Sequence, residues 1–442
     1  MAIAIPGALK PAARIADRTR HHAALRLLPF LFALYLANYL DRTSVAYAAI
    51  GMSRELGLSD RVFGLGAGIF FISYVTLQIP GALLVERWSA RRMISLTMIA
   101  WGSMTALTAL VHTPAELYIA RFLLGAAEAG FFPGVIVFLS HWFVCEDRAK
   151  VTSNFMSAIP LSFVIASPIA GLLLGRSWLG IAGWRWLFIL EGLPAVLLGI
   201  IAFFYLTDLP GQAKWLAPDQ RRWIENRLQQ ESSAAGFEAM PIRQALLSSR
   251  ILLLAAVCFL NYFAYYSFLF WLPTMLKRQS GFSDLNVGLL GALPYAALFV
   301  AMLFNGWHSD RQCERRWHCA IPSLIAAAAL LGLAAHPQSI LVLLGLFTLA
   351  TIGNAYLPAL WAMPTELLCK SAAAASVGMI NAVGSIAGFA GPYVFGFMNS
   401  KFGSFSYGLT VLALSSLAAG LLVLRIPHKT PAAKLQGNVE VV

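Results

Sequence analysis

Residues 24–49 read ALRLLPFLFALYLANYLDRTSVAYAA. The run is long enough to cross about 30 Å of hydrocarbon as a helix rising 1.5 Å per residue, yet it places Asp41 and Arg42 side by side. Similar runs follow near 62–86, 93–111, 115–142, 150–175 and 184–206, then 250–276, 285–307, 318–335, 339–362, 371–398 and 404–425. They make twelve, in two sets of six. The runs are continuously apolar, without the period-two alternation of barrel strands, so a β-barrel is excluded. The expected fold is therefore an all-α polytopic membrane protein with twelve transmembrane helices in two six-helix bundles.

Composition agrees. Of 442 residues, 59% are hydrophobic and only 12% charged, about half the quarter typical of soluble domains. Mean hydropathy is +0.71. The expected segments are a tail at 1–23, a first bundle at 24–206, a polar loop at 207–249, a second bundle at 250–426 and a tail at 427–442. With the N-terminus inside, the inner segments hold 23 lysines and arginines and the outer loops 7. That asymmetry places both termini and the central loop in the cytoplasm. The net charge of +12 then follows from topology and calls for no nucleic-acid partner. The basic N-terminus lacks a small-residue cleavage site, so the first helix is read as retained. Within the central loop, Pro218–Glu231 has the pattern of a short amphipathic surface helix. Five cysteines without CxxC spacing argue against disulfides and a metal site.

The halves repeat each other. After the second run come Gly81, Glu86 and Arg91-Arg92; after the eighth come Gly306, Asp310 and Arg315-Arg316. Internal repetition in a polytopic protein points to a secondary transporter with its site between repeats. No P-loop is present to suggest nucleotide as the energy source.

The cytoplasmic pattern GALLVERWSARR (81–92) and its echo GWHSDRQCERR (306–316) resemble the major facilitator superfamily. YLDRTSVAYAAI (39–50), FFISYVTLQIPG (70–81), RFLLGAAEAGFFPG (121–134), GWRWLFILEGLPA (183–195) and WLPTML (271–276) resemble its anion:cation symporter family, including tartrate-, phthalate- and hydroxyphenylacetate-type permeases. The loop motif departs from the family pattern at Glu86 and Ala90. The resemblance implies proton-coupled uptake of an organic anion across an inner membrane. It also implies that Tyr74, Gln78 and Asn381 face the cavity.

The residues support this chemistry independently. An ionisable side chain at bilayer depth costs about 2.5–3.5 kcal/mol on insertion scales and by default marks function. Arg121 and Glu128 lie two turns apart on one helix face, and Asn38 and Asp41 share another. A guanidinium clamps a carboxylate through two parallel hydrogen bonds. Asp41 and Glu128 are therefore the candidate proton carriers, and Arg42 and Arg121 the candidates for charge-pairing with substrate and with the deprotonated acids, against the alternative of static ion pairs joining helices. Asn154, Asn261, Tyr265, Asn354 and Tyr356, with Tyr74, Gln78 and Asn381, are the further polar candidates for the pocket. For each the structural alternative is an interhelical hydrogen bond. Glu191, beside Gly192 and Pro194, is as much a structural contact as a transport residue. Glu86, Arg91 and Arg92, with Asp310, Arg315 and Arg316, are read as a cytoplasmic gate, against the alternative of ordinary topogenic charge. None of the eight histidines suits a transmembrane proton relay.

The resulting reading is a symporter of a small organic carboxylate and protons, with a hydroxy acid such as tartrate or a sugar acid as first choice. It is not an enzyme and needs no cofactor beyond a proton gradient. Its partners are the anion, protons and the bilayer, and the functional unit is a monomer. Tyr262, Tyr265, Tyr266 and Trp271 keep an aromatic carboxylate open as cargo. An organic anion exchanger or facilitator, and more distantly a membrane carboxylate sensor, are the alternatives.

Overall fold

The computed structural model describes residues 11–234, 248–312, 314–367 and 370–426. By packing, the chain divides into two units, Met1–Leu56 with Ile69–Phe237 and Gly57–Gly68 with Glu238–Val442. Among the described residues the first unit carries α1 (Pro11–Leu56), α2 (Asp60–Arg87, whose first turns belong to the second unit), α3 (Ala90–Thr108), α4 (Pro114–Glu128) and α5 (Phe131–Trp142). It continues with α6 (Cys145–Met156), α7 (Ala158–Leu174), α8 (Gly183–Tyr205) and α9 (Pro218–Ala234). The second unit carries α10 (Ser249–Ser280), α11 (Asp284–Gln312), α12 (Arg316–Ala334) and α13 (Ile340–Ile352). A 3-10 turn at Gly353–Tyr356 leads into α14 (Leu357–Leu367), and α15 (Lys370–Phe402) and α16 (Phe405–Val423) complete it.

Eleven helical segments among the described residues are long and apolar enough to cross a membrane. The remaining expected span is α3, 19 residues long, whose apolar character is diluted by Arg91 and Arg92 at its start. Three expected spans are interrupted. Residues 115–142 form α4 and α5, parted at Ala129 and Gly130; 150–175 contain the junction of α6 and α7 at Ser157; and 339–362 contain the 3-10 turn between α13 and α14.

The first helix begins earlier than the apolar pattern requires, because polar partners hold its basic lead. Arg20 pairs with Asp147 at 3.0 Å, and His22 Nδ1 lies 3.1 Å from Gln220 Nε2 of α9. The expected surface helix of the central loop is α9. Residues 1–10, 235–247 and 427–442, which include parts of the expected tails and loop, lie outside the described residues.

Helix starts follow capping chemistry. The Thr113 hydroxyl accepts from Glu116 N, Pro114 occupies the first turn, and Glu116 accepts from His112 N at 2.8 Å, so side chains satisfy two of the donors at this start, and proline removes a third. At the other extreme Gly281, with φ of 67°, closes α10 by donating to the Lys277 carbonyl, a left-handed cap open to glycine without a Cβ penalty.

Close packing by small residues positions the site. A Cβ on Gly125 of α4 would fall 2.1 Å from the Phe70 carbonyl of α2. Gly102 and Gly192 bring α3 and α8 together reciprocally, each lacking the Cβ that would meet the other's carbonyl. In the second unit Gly391 of α15 approaches the Phe263 carbonyl of α10 in the same way, at 2.5 Å from a would-be Cβ. With no hydrophobic drive between helices in lipid, such approaches supply dispersion contact in its place.

Candidate functional site

α1 turns Asn38, Asp41 and Arg42 inward, and all three are buried. α2 adds Phe70, Tyr74 and Gln78, spaced four residues apart along one buried face. α4 adds Arg121 and Glu128, each 1% exposed. The glycine contact at Gly125 lies midway between these two and lets their face of α4 approach α2.

The four charges are not paired evenly. Arg42 donates from Nε at 3.0 Å and from Nη2 to one oxygen of Glu128, Oε1. Glu128 Oε2 has no hydrogen-bond partner among the described residues. Three rings surround the Arg42 guanidinium, Tyr39 at 5.1 Å, Phe70 at 5.3 Å and Tyr74 at 5.2 Å. Arg121 lies 5.0 Å from the same Phe70 ring, and its Nε and Nη2 have no hydrogen-bond partner among the described residues. Its charged neighbours are Asp41, Glu128 and Arg42. Both oxygens of Asp41 likewise lack a well-formed hydrogen bond among the described residues, and the Thr105 hydroxyl of α3 interacts with this carboxyl.

Buried polar groups are normally hydrogen-bonded, and each exception calls for an explanation. Here the exceptions cluster. One guanidinium is held by a carboxylate, while a second guanidinium and a second carboxylate stand nearby with hydrogen-bonding capacity unused. A buried charge without a partner is costly.

The other expected residues fall in several settings. Tyr74 joins the cluster, and Gln78 is buried one turn further along α2. Asn154 is exposed. In the second unit, Asn261 accepts from Ser323 Oγ at 3.0 Å and donates to the Val257 carbonyl, so its amide is engaged between α10 and α12. Asn354 donates to the Thr351 carbonyl at 3.0 Å, steadying the 3-10 turn. Tyr356 is buried with its hydroxyl unpartnered among the described residues. Tyr265 belongs to a ring cluster, 6.4 Å from Tyr262 and 5.0 Å from Tyr266. Asn381 is half-buried on α15.

The expected gate is organised by partners the sequence did not suggest. Arg91 donates its backbone N–H to Asp208 at 2.9 Å, and its Nε stands 3.7 Å from the same carboxylate. Asp208 also accepts from Ser89 Oγ at 2.8 Å. Arg92 lies over the Trp88 ring at 5.8 Å. The Glu86 side chain lies outside the described residues. In the second unit Arg315 pairs with Asp310 at 2.5 Å, and Arg316 reaches Glu314 and the Ile426 carbonyl.

Sequence reasoning passed over Tyr39 and Phe70, whose rings line the arginines, and Asp208. Tyr39 stands three residues before Arg42, the helical spacing that puts both on one face. Phe70 could be read only as another apolar residue. No feature of TDLPG (207–211) marks Asp208 as a cap for α3.

Matches to known proteins fit this architecture. The model of the Major Facilitator Superfamily matches residues 31–392 and 275–440. The chain belongs to that superfamily. It is 40% identical over 418 residues to a provisionally named tartrate transporter of Agrobacterium vitis, covering 94% of this chain and 93% of that protein. It is 35% identical to the inner membrane transport protein RhmT of Escherichia coli, covering 90% and 93% respectively. A crystal structure of a bacterial homologue of the human lysosomal transporter Spinster superposes with a TM-score of 0.71 at 20% identity, covering 94% of this chain and 96% of that one. This major facilitator protein is thus a transporter and not an enzyme, multi-pass in the inner membrane.

Proposed function

We propose that this transporter takes up a small organic carboxylate together with protons by alternating access, with a hydroxy acid such as tartrate or a sugar acid as first choice. The observation that carries the reading is the buried Arg121 fork, with Nε and Nη2 unpartnered among the described residues, beside the buried carboxyl of Asp41. A guanidinium holds a carboxylate through parallel charge-assisted hydrogen bonds. Arg42 is already engaged with Glu128, so Arg121 is assigned to the substrate. Asp41 and Glu128 are assigned as the proton-binding carboxyls. Substrate drawn to the arginines competes with both acids for positive charge, and protonation of an acid relieves that competition. Charge balance in a dry site then links the two fluxes.

Tyr74, Gln78 and Asn381 are assigned to the substrate's remaining polar groups, consistent with the name of the Agrobacterium relative. The Lys and Arg distribution supports an orientation with both termini in the cytoplasm, which makes Arg91, Arg92, Arg315 and Arg316 with their acids a cytoplasmic gate. The ring cluster at Tyr262, Tyr265 and Tyr266 favours a second reading, an aromatic carboxylate as cargo.

The test is uptake of a panel of labelled carboxylates by proteoliposomes, with and without an imposed inward proton gradient. Accumulation of a hydroxy acid only under the gradient is expected. Uptake indifferent to the gradient but driven by internal anion would select exchange instead.

A further inference from the structure

Glu191 is the one acid of the apolar run LFILEGLPAVLL (187–198), and the scheme above leaves it unused. It is half-buried on α8, a helix seated against α3 by the Gly102 and Gly192 contact. Its Oε2 accepts from Ser44 Oγ of α1. Ser44 Oγ also lies 2.9 Å from the Leu40 carbonyl.

One hydroxyl has one proton and can donate to only one of these two oxygens at a time. Directed at Glu191, it stabilises the carboxylate. Directed at the Leu40 carbonyl, it leaves a lone pair that only the acid form of Glu191 can satisfy. The same serine therefore suits both protonation states without movement of either helix. A purely structural carboxyl needs one state.

Ser44 stands three residues after Asp41, on the same face of α1, so the hydroxyl that bonds Glu191 lies one helical turn from the Asp41 carboxyl. The packed elements bring little else. α3 from Met93 to Thr108 and α7 from Ala158 to Leu174 contain no charged residue. Tyr47 of α1 donates to Ser167 at 2.7 Å. Glu55 and Arg185 pair with each other at the start of α8. Arg42 of α1 is engaged with Glu128.

We propose that Glu191 is a third carboxyl of the proton cycle, a positioning residue whose charge state, buffered by Ser44, sets how readily Asp41 releases its proton. The inference rests on the proton-coupled reading above. Two like charges on adjacent helices oppose each other, so loading of Glu191 eases the ionisation of Asp41, and its unloading favours recapture.

The experiment measures labelled tartrate uptake by proteoliposomes as a function of external pH, for wild type, Glu191→Gln, Glu191→Asp and Ser44→Ala. Removing the Glu191 charge should move the pH midpoint of uphill uptake to the acid side by about one unit, the size of effect expected of a neighbouring like charge. Ser44→Ala should move it the same way, and Glu191→Asp should restore it. An unchanged midpoint in both Glu191→Gln and Ser44→Ala refutes the inference alone. If Glu191→Gln cannot be purified folded, the Ser44→Ala midpoint decides. Wild-type uptake that ignores the gradient refutes the proton-coupled reading, and this inference with it.

Discussion

Replacing Arg121 with lysine separates a substrate clamp from a static ion pair. The change keeps the positive charge but replaces a planar fork with a point charge. Among the described residues the Nε and Nη2 donors of Arg121 are buried and unpartnered, while its neighbours Asp41 and Glu128 remain to neutralise any cation at the position. Folding should therefore tolerate Arg121→Lys. Two parallel hydrogen bonds to a substrate carboxylate would become one, and a hydrogen bond to a charged group contributes about 1.5–3 kcal/mol. At about 1.4 kcal/mol per factor of ten, the apparent KM should rise by roughly 10-fold to 150-fold. Arg121→Ala should abolish transport and also destabilise the protein, since removing one partner of a buried charge set costs about 3–5 kcal/mol. The assay is initial-rate uptake of labelled tartrate in proteoliposomes, with thermal denaturation in detergent as the folding control. A wild-type KM in a folded Arg121→Lys protein would reduce Arg121 to a structural charge and remove the main support for the proposed site.

Asp41→Asn and Glu128→Gln should each abolish uphill uptake, while counterflow exchange, which moves no net protons, should persist in at least one; normal accumulation by both excludes them as carriers. Glu128→Gln should also lower the melting temperature, because it leaves Arg42 buried without its carboxylate, whereas the pair-removing double change Arg42→Met with Glu128→Gln should recover part of that loss. Gly125→Ala should destabilise by about 1–3 kcal/mol through overpacking, since its Cβ would fall 2.1 Å from the Phe70 carbonyl; an unchanged melting curve would show that α4 and α2 separate freely. In competition uptake, excess unlabelled hydroxy dicarboxylate should inhibit more strongly than an aromatic carboxylate, because a site built to hydrogen-bond hydroxyls rejects analogues lacking them. Inhibition by aromatic acids alone would instead assign specificity to the Tyr265 cluster.

The fold was legible because hydropathy works on length. A run of twenty apolar residues has few fates other than a spanning helix, and the charges that interrupt such runs are too costly to be incidental. Those two rules place Asp41, Arg42, Arg121 and Glu128 at depth before any coordinates, and all four are buried in one unit. The pattern of pairing was not legible. Helical spacing puts Arg121 and Glu128 on one face and suggests they serve together, but Glu128 is bonded by Arg42, 86 positions away. Local periodicity carries no information about which neighbouring helix supplies a partner. The same limit hid Asp208, whose cap on α3 joins segments 117 positions apart, and Phe70, which gains meaning only once two guanidiniums converge on its ring. Asn261 shows the converse. An amide at membrane depth reads as a ligand to substrate, yet a serine from α12 engages it.

The repeat between the halves extends to the breaks in their fourth spans, and there the two units differ in chemistry. In the first unit the helix parts at Ala129 and Gly130, next to Glu128. A Cβ on Gly130 would meet Met93 of α3 at 2.2 Å. In the second unit the helix parts at Gly353, next to Asn354, and a Cβ on Gly353 would meet Ala326 of α12 at 2.3 Å. Each fourth span is thus brought against its third by a glycine at the break, and each break presents a polar residue beside that glycine. Irregular backbone at membrane depth is tolerated only inside protein or against a cavity, so both breaks mark places where the bundles trade helical regularity for a placed side chain. The shared geometry holds a carboxylate in one unit and an amide in the other. At these two breaks the duplicated scaffold therefore keeps its backbone geometry while the residue beside the glycine differs in charge, Glu128 in one copy and Asn354 in the other.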